Sequence, residues 1–126
     1  MKISNIMRIS DERGSAAIIL CLVFTALLGF TVYVADIGMV YAEKSKLVNA
    51  IDSAALAAVL ELPENEAKAR GIAIEYLEKN NMDPDNAVIT IGSDQKSIEI
   101  QGIKNVKHFF GPVIKIYSSN VSAAVK

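Results

Sequence analysis

One long uncharged segment dominates the pattern of hydrophobic and polar positions along the chain. Residues Ala16–Ala35 read AAIILCLVFTALLGFTVYVA and contain no charged side chain. A helix of this length, rising about 1.5 Å per residue, spans about 30 Å, which matches the hydrocarbon core of a bilayer. The pattern therefore predicts a transmembrane helix over residues 15–36, preceded by a short head or leader over residues 1–14.

A cleaved secretory signal and the buried helix of a soluble protein are the alternatives to this membrane anchor. A secretory signal normally has an apolar core of about 7–15 residues, followed closely by a small-x-small cleavage site. The best later candidate for such a site, Val40-Tyr41-Ala42, lies beyond Asp36 and within a helical pattern. Buried core helices rarely continue this far without a charge. The membrane anchor is therefore the favoured interpretation.

Basic residues are slightly more frequent before the apolar segment than after it. Lys2, Arg8 and Arg13 precede the segment, and the nearest basic residues after it are Lys44 and Lys46. Because basic residues are retained on the cytoplasmic side, this bias favours an N-terminus inside the cell. The sequence thus predicts a single-pass protein of the cytoplasmic (inner) membrane with an extracytoplasmic C-terminal domain.

The helical pattern continues beyond the apolar segment and becomes amphipathic over residues 37–62. Apolar positions recur there at spacings of three and four, and no proline occurs before Pro63. This pattern predicts one nearly continuous helix from about Ser15 to about Glu61. Such a stripe needs a partner, either the domain that follows it or neighbouring subunits. The stripe positions expected to be buried are Leu47, Ile51, Ala55, Ala58 and Leu62.

Residues 63–126 are expected to form a small α+β domain. Pro63, followed by acidic residues, indicates the start of a second helix, which ends at Asn80-Asn81. Two strand-like runs separated by GSDQ, Ala87–Ile91 and Lys96–Gln101, predict a β-hairpin. The remaining elements are predicted to be a short, broken helix over Lys104–Ile116 and a last strand over Ser118–Val125.

Composition and motif content argue against nucleic-acid binding and against catalysis. The net charge is −1, and the basic residues form no stripe with interleaved aromatic residues. Cys21 is the only cysteine, so no intrachain disulfide can form. His108 is the only histidine, and a surface or half-buried structural role is expected for it. Because no nucleophile, base and orienting group occur together, we expect no enzyme activity, cofactor, metal or small-molecule substrate.

Two acidic residues interrupt apolar surroundings. Asp36 directly follows the apolar segment and is expected to mark the water interface. Asp52 lies in an alanine-rich stretch, where an unpaired buried charge would be costly. We expect Asp52 either to face solvent or to pair with a basic residue of the second helix or of a neighbouring subunit.

The segment Asp36–Ala57, which directly follows the apolar segment and which we call the block, resembles a known family. An Arg-Gly junction, ERGSAAIIL, opens the segment, and VKHFFGPVIKIYSSNVSAAV lies near the end of the chain. Together with the block between them, these pieces resemble the Tad domain of TadE/TadG-like proteins of the Flp (Tad) pilus-assembly system. The block positions that carry the resemblance are Asp36, Gly38, Leu47, Asn49, Ala50, Asp52, Ala54, Ala55, Leu56 and Ala57.

This resemblance implies a pilin-like fold and a pseudopilin-like structural subunit of a Tad/Flp-type pilus or secretion system. The implied partners are membrane lipid, other pilus or pseudopilin subunits and assembly-platform proteins. The alternative is a single-pass membrane binding or regulatory module that does not enter a filament. The resemblance also marks Gly14 and Ser15 as a candidate processing junction. After such a cut the fifth residue would be Ile19, where prepilin-peptidase substrates usually carry Glu, so cleavage and a retained signal anchor both stay open.

Overall fold

The computed structural model describes residues 8–126 and begins with one long helix, α1, over Arg8–Val59. The predicted head, residues 1–14, lies outside the described residues over 1–7 and is helical from Arg8 onward. The helix therefore begins earlier than the predicted Ser15. It ends two residues before the predicted Glu61, because the residue preceding a proline is disfavoured in helical conformation and Pro63 follows closely.

The chain divides into two compact units, of which the first ends at Ala35. Every residue from Gly14 to Thr31 is exposed, and the most apolar 18-residue window has a mean hydropathy of 2.5. The hydroxyls of Thr25 and Thr31 donate to the carbonyls of Cys21 and Leu27, at 2.8 and 2.9 Å. Polar groups satisfied within their own helix are compatible with a lipid environment. This helix is long and apolar enough to cross a membrane.

The second unit, Asp36–Lys126, contains the remainder of α1, a second helix and a three-stranded antiparallel sheet. The strands lie in the order β1-β2-β3, and each pairs with its neighbour along the chain. The prediction of an α+β fold is confirmed. The elements that follow α1 are α2 over Glu66–Lys79, β1 over Ala87–Ile91, β2 over Ile98–Lys107 and β3 over Ser118–Val125.

The amphipathic stripe of α1 contributes to the core of this second unit. Leu47, Ile51, Ala55 and Ala58 are all buried, as predicted, whereas Leu62 is only half-buried at the edge of the core. The chain's own domain therefore covers most of the stripe. This burial of apolar surface is the main favourable contribution to folding. Its partners in the core include Ala69, Ala73 and Leu77 of α2 and Ile98, Ile100, Val106 and Val121 of the sheet.

Gly102, in the middle of β2, lets α1 approach the sheet closely. A Cβ atom at this position would lie 2.6 Å from the Met82 Cε, 3.0 Å from the Leu47 Cδ1 and 3.2 Å from the Ile51 Cγ2. Its partners across the sheet, Ala87 and Ala123, are also small. A row of small residues across all three strands therefore lies where the helix packs.

Helix α2 begins later than predicted. Its N-cap is Asn65, whose Oδ1 accepts the Lys68 N–H at 2.9 Å, so Pro63 precedes the helix instead of opening it. At the other end Asn81 has a φ of 57°, and the Met82 N–H donates to the Leu77 carbonyl at 3.0 Å. This is a Schellman-type end, and it agrees with the predicted stop at Asn80-Asn81.

The short, broken helix predicted over Lys104–Ile116 is present only as a 3₁₀ turn, and its predicted bounds were too wide. Residues up to Lys107 continue β2 and pair with β3, and the only helical geometry in this segment is a 3₁₀ turn over Gly111–Ile114. The inward positions of β2 alternate regularly, but the missing side chain of Gly102 obscures that alternation in the sequence. The other two predicted strands have the predicted bounds, and GSDQ lies in the hairpin loop.

Candidate functional site

The carboxylate of Asp36 is bound by the backbone N–H groups of three consecutive residues. Its Oδ1 accepts the Phe109 N–H at 3.2 Å, and its Oδ2 accepts the Phe110 and Gly111 N–H groups at 3.2 and 2.8 Å. The three N–H groups belong to residues that follow Asp36 by 73–75 positions in the sequence. We call this arrangement, the carboxylate with the three N–H groups, the Asp36 clasp.

The clasp changes the expected role of Asp36. The residue is only 7% exposed, so it is buried and does not simply mark the water interface. Convergent backbone N–H groups form a concave site with positive potential, which stabilises a carboxylate without a neighbouring cationic side chain. The acid therefore ties α1 to the segment before β3. A lone acid at the end of an apolar segment carries no sequence signal for such a contact.

His108 and Gly111 support the clasp from the loop side. The His108 ring is half-buried, with its Nε2 2.9 Å from the Ser119 Oγ and its Nδ1 4.0 Å from the Asp36 Oδ2. A Cβ atom on Gly111 would clash with the backbone carbonyl oxygen of Ile116, so only glycine allows this chain path. Sequence reasoning foresaw a structural histidine but missed the glycine, because its requirement comes from a neighbour five residues away.

The segment from His108 to Tyr117, which we call the 108–117 loop, is closed at its base. The His108 N–H donates to the Tyr117 carbonyl at 3.0 Å, and the Ile116 N–H donates to the Gly111 carbonyl at 2.9 Å. These bonds hold the two ends of the loop together. Five of its large apolar side chains are nevertheless exposed to solvent: Phe109, Phe110, Val113, Ile116 and Tyr117.

A second polar contact joins α1 to β2 about two helical turns beyond the clasp. The Glu43 carboxylate lies 2.8 Å from the Lys104 Nζ and 2.6 Å from the Lys46 Nζ. Hydrogen bonds from Lys104 and then Lys46 lower the pKa of Glu43 from 4.5 to about 2. Lys104 lies at an inward-facing position of β2, and the Glu43 carboxylate neutralises its ammonium group there. The ion pair also links α1 to β2.

Asp52 lies beside an apolar groove. It is half-buried and forms no ion pair with any residue of the described range 8–126, so the predicted pairing with the second helix is not seen. The groove has a volume of about 360 Å³. Its lining is formed by Asp52, Ala55, Leu56, Val59, Lys96, Ser97, Ile98, Val125 and Lys126.

The residues that carry the family resemblance, together with the stripe residues Ile51 and Ala58, separate into two groups. One group is internal to the second unit, and the other faces outward and is free to contact other molecules. Gly14 and Ser15 of the candidate processing junction are exposed on α1. The buried group consists of Asp36, Leu47, Ala50, Ile51, Ala54, Ala55 and Ala58, whereas Gly38, Asn49 and Leu56 are exposed and Asp52 and Ala57 are half-buried.

The Asp36 clasp and the Glu43–Lys104 ion pair position segments of the chain relative to one another. Within the described part of the chain, no three His, Cys, Asp or Glu side chains lie close enough to hold a metal ion. The polar contacts described above join α1 to the sheet and to the loop before β3. Their evident chemical effect is to hold the sheet and this loop against the part of α1 that belongs to the second unit.

Comparison with known proteins agrees with the predicted resemblance. The model of the family described as "Putative Flp pilus-assembly TadE/G-like" matches residues 14–64. This range includes the apolar segment and the buried stripe of α1, but not the 108–117 loop. No curated protein and no solved structure matches the chain. The family match associates residues 14–64 with Flp pilus assembly.

Proposed function

We propose that this protein is a membrane-anchored, pseudopilin-like structural subunit of a Tad/Flp-type pilus or secretion system. The observation that carries the proposal is the composition of α1 within the matched range 14–64. One helix combines an exposed apolar segment with a stripe that is buried under an antiparallel sheet. A subunit of this kind can be stored in a membrane and still present a folded domain to its neighbours.

The proposed topology follows from the charge bias around the apolar segment. The N-terminus lies in the cytoplasm, α1 crosses the inner membrane, and Asp36–Lys126 lies outside. We expect the protein to sediment with membranes. Protease added from outside the inner membrane should degrade the second unit and leave the membrane-spanning segment. Recovery of the intact protein from the soluble fraction would contradict the anchor.

We propose that an outward-facing leucine pair on the end of α1 contacts a neighbouring pilus subunit. Leu56 is 69% exposed, and Leu60, which directly follows the last residue of α1, is 82% exposed. Leu56 is also one of the positions that carry the family resemblance, and it borders the groove beside Asp52. Exposed leucines next to an apolar groove favour burial against another protein.

Cysteine cross-linking in the native host tests this contact. A Cys21→Ser background removes the native thiol, and Leu56→Cys then places a single thiol on the proposed contact. We expect this thiol to cross-link to a second copy or to another pilus protein, identified by mass spectrometry. Val88→Cys is the matched control, because Val88 is 62% exposed on the outer face of β1, away from the groove.

The outcomes separate the proposal from its alternative. Cross-linking at Leu56 but not at Val88, to pilus components, supports a subunit that assembles. A membrane-inserted protein that stays monomeric at both positions, in cells that assemble pili, contradicts the proposed contact. That result would favour a single-pass binding or regulatory module that does not enter a filament.

A further inference from the structure

The 108–117 loop exposes an unusual concentration of large apolar side chains. Phe109 is 74% exposed, Val113 84% and Tyr117 65%. Soluble domains rarely place so much apolar surface in one short segment, and such patches usually contact a protein or a membrane. The family match at residues 14–64 does not include this loop, so the match assigns it no role.

The loop is tied to the point where the apolar segment ends. Asp36 is the first charged residue after Ala16–Ala35, and it directly follows Ala35 in the chain. Its carboxylate accepts three N–H groups from residues 109–111, at 2.8–3.4 Å. If α1 spans the membrane, as proposed above, the hydrocarbon core ends within a few ångströms of Asp36. The loop backbone must then lie at the membrane surface.

The side chains of the loop have the chemistry of a membrane interface. Aromatic residues are favoured at the level of the lipid headgroups, where apolar rings are buried and polar atoms stay hydrated. Tyr117 is of this type, and Phe109 and Phe110 supply apolar rings of the kind that interfacial segments bury among the acyl chains. Two exposed lysines, Lys107 and Lys115, flank the apolar side chains and could neutralise lipid phosphates.

The loop backbone is preorganised for such a contact. Its base is closed by the bond between the His108 N–H and the Tyr117 carbonyl, and Pro112 lies in the 3₁₀ turn at its tip. A surface that is already ordered loses little conformational entropy when it binds. The exposed side chains are therefore presented together on a rigid frame.

We propose that the 108–117 loop inserts its apolar side chains into the headgroup region of the membrane that α1 spans. The loop is then a second membrane contact, and the Asp36 clasp sets its depth. This contact would hold the loop at the bilayer surface in addition to the anchor formed by the apolar segment of α1. The proposal rests on the proposed membrane anchor, so its test must report on the anchor separately.

Fluorescence quenching by spin-labelled lipids provides this test. The full-length protein is reconstituted into phosphatidylcholine–phosphatidylglycerol vesicles and labelled with an environment-sensitive thiol fluorophore at one cysteine at a time. The native Cys21 reports on the anchor, and Val113→Cys in a Cys21→Ser background reports on the loop. Val88→Cys is the control, because Val88 pairs with Gln101, about 20 Å along β2 from Lys107.

The proposal predicts a distinct result at each position. The label at residue 113 should lose most of its fluorescence with a shallow spin label, the label at Cys21 with a deep one, and the label at residue 88 with neither. Quenching at Cys21 without quenching at residue 113 would overturn the loop contact and leave the anchor intact. Blue-shifted but unquenched emission at residue 113 would mean that another protein surface covers the loop. Absence of quenching at Cys21 would overturn the anchor and the loop contact together.

Discussion

Replacing Asp36 by Asn removes the charge of the clasp while keeping the shape of the side chain. Both carboxylate oxygens accept N–H groups in the folded protein. An amide offers one acceptor oxygen, and its NH₂ group turns a donor toward a backbone N–H. Asn and Asp have similar helix propensities, so α1 itself should be little affected.

The expected cost follows from the geometry. One N–H group left without an acceptor at a buried site costs about 1–3 kcal/mol. Losing charge assistance in the remaining bonds adds about 1 kcal/mol. The closed form of the 108–117 loop should thus be destabilised by about 2–4 kcal/mol, which is roughly a 30- to 700-fold increase in its opening equilibrium.

Hydrogen exchange measured by mass spectrometry on the full-length protein in detergent reports this opening directly. The amides of Phe109, Phe110 and Gly111 should exchange faster in Asp36→Asn, by up to the factor given above, because exchange follows local opening. Asp52→Asn is the matched control, since the Asp52 side chain forms no hydrogen bond or ion pair within the described residues 8–126. Equal protection of these amides in both variants would refute the clasp.

Three further predictions concern the core, the acid response and the processing of the chain. Ala55→Gln should overpack the core, destabilise the second unit by about 1–3 kcal/mol and make it protease-sensitive. Ala42→Gln, at an exposed position of the same helix, is the control, and equal resistance of both variants would mean that the stripe is not buried. Because the pKa of Glu43 is lowered to about 2 in the folded protein, its ion pairs should stabilise above pH 4.5 and lose their contribution as the pH falls toward 2. Solvent screening limits that contribution to about 1 kcal/mol. The free energy of unfolding of Glu43→Gln should no longer show this pH dependence. An unchanged pH dependence in the variant would contradict the pairing. Mass spectrometry of the protein from cells with a prepilin peptidase should find a mature terminus at Ser15; a chain that retains Gly14 would identify a plain signal anchor.

Several features of this protein follow from local sequence patterns. The uncharged segment Ala16–Ala35 identifies the apolar helix, and the spacing of Leu47, Ile51 and Ala58 identifies the face that is buried. The strand bounds of Ala87–Ile91 and Ser118–Val125 were likewise predicted as observed. The periodicity of apolar residues is sufficient to predict these elements, because each element buries one face and that face recurs at a fixed spacing along the chain.

Other features were decided only by the tertiary structure. The length of β2 depends on its pairing with β3, and the need for Gly102 arises because α1 crosses the sheet at that residue. The role of Asp36 depends on three N–H groups more than seventy residues away. Backbone N–H groups are the same in every residue except proline, so their convergence on a carboxylate leaves no mark in the sequence. Only the folded path of the chain brings them to one point.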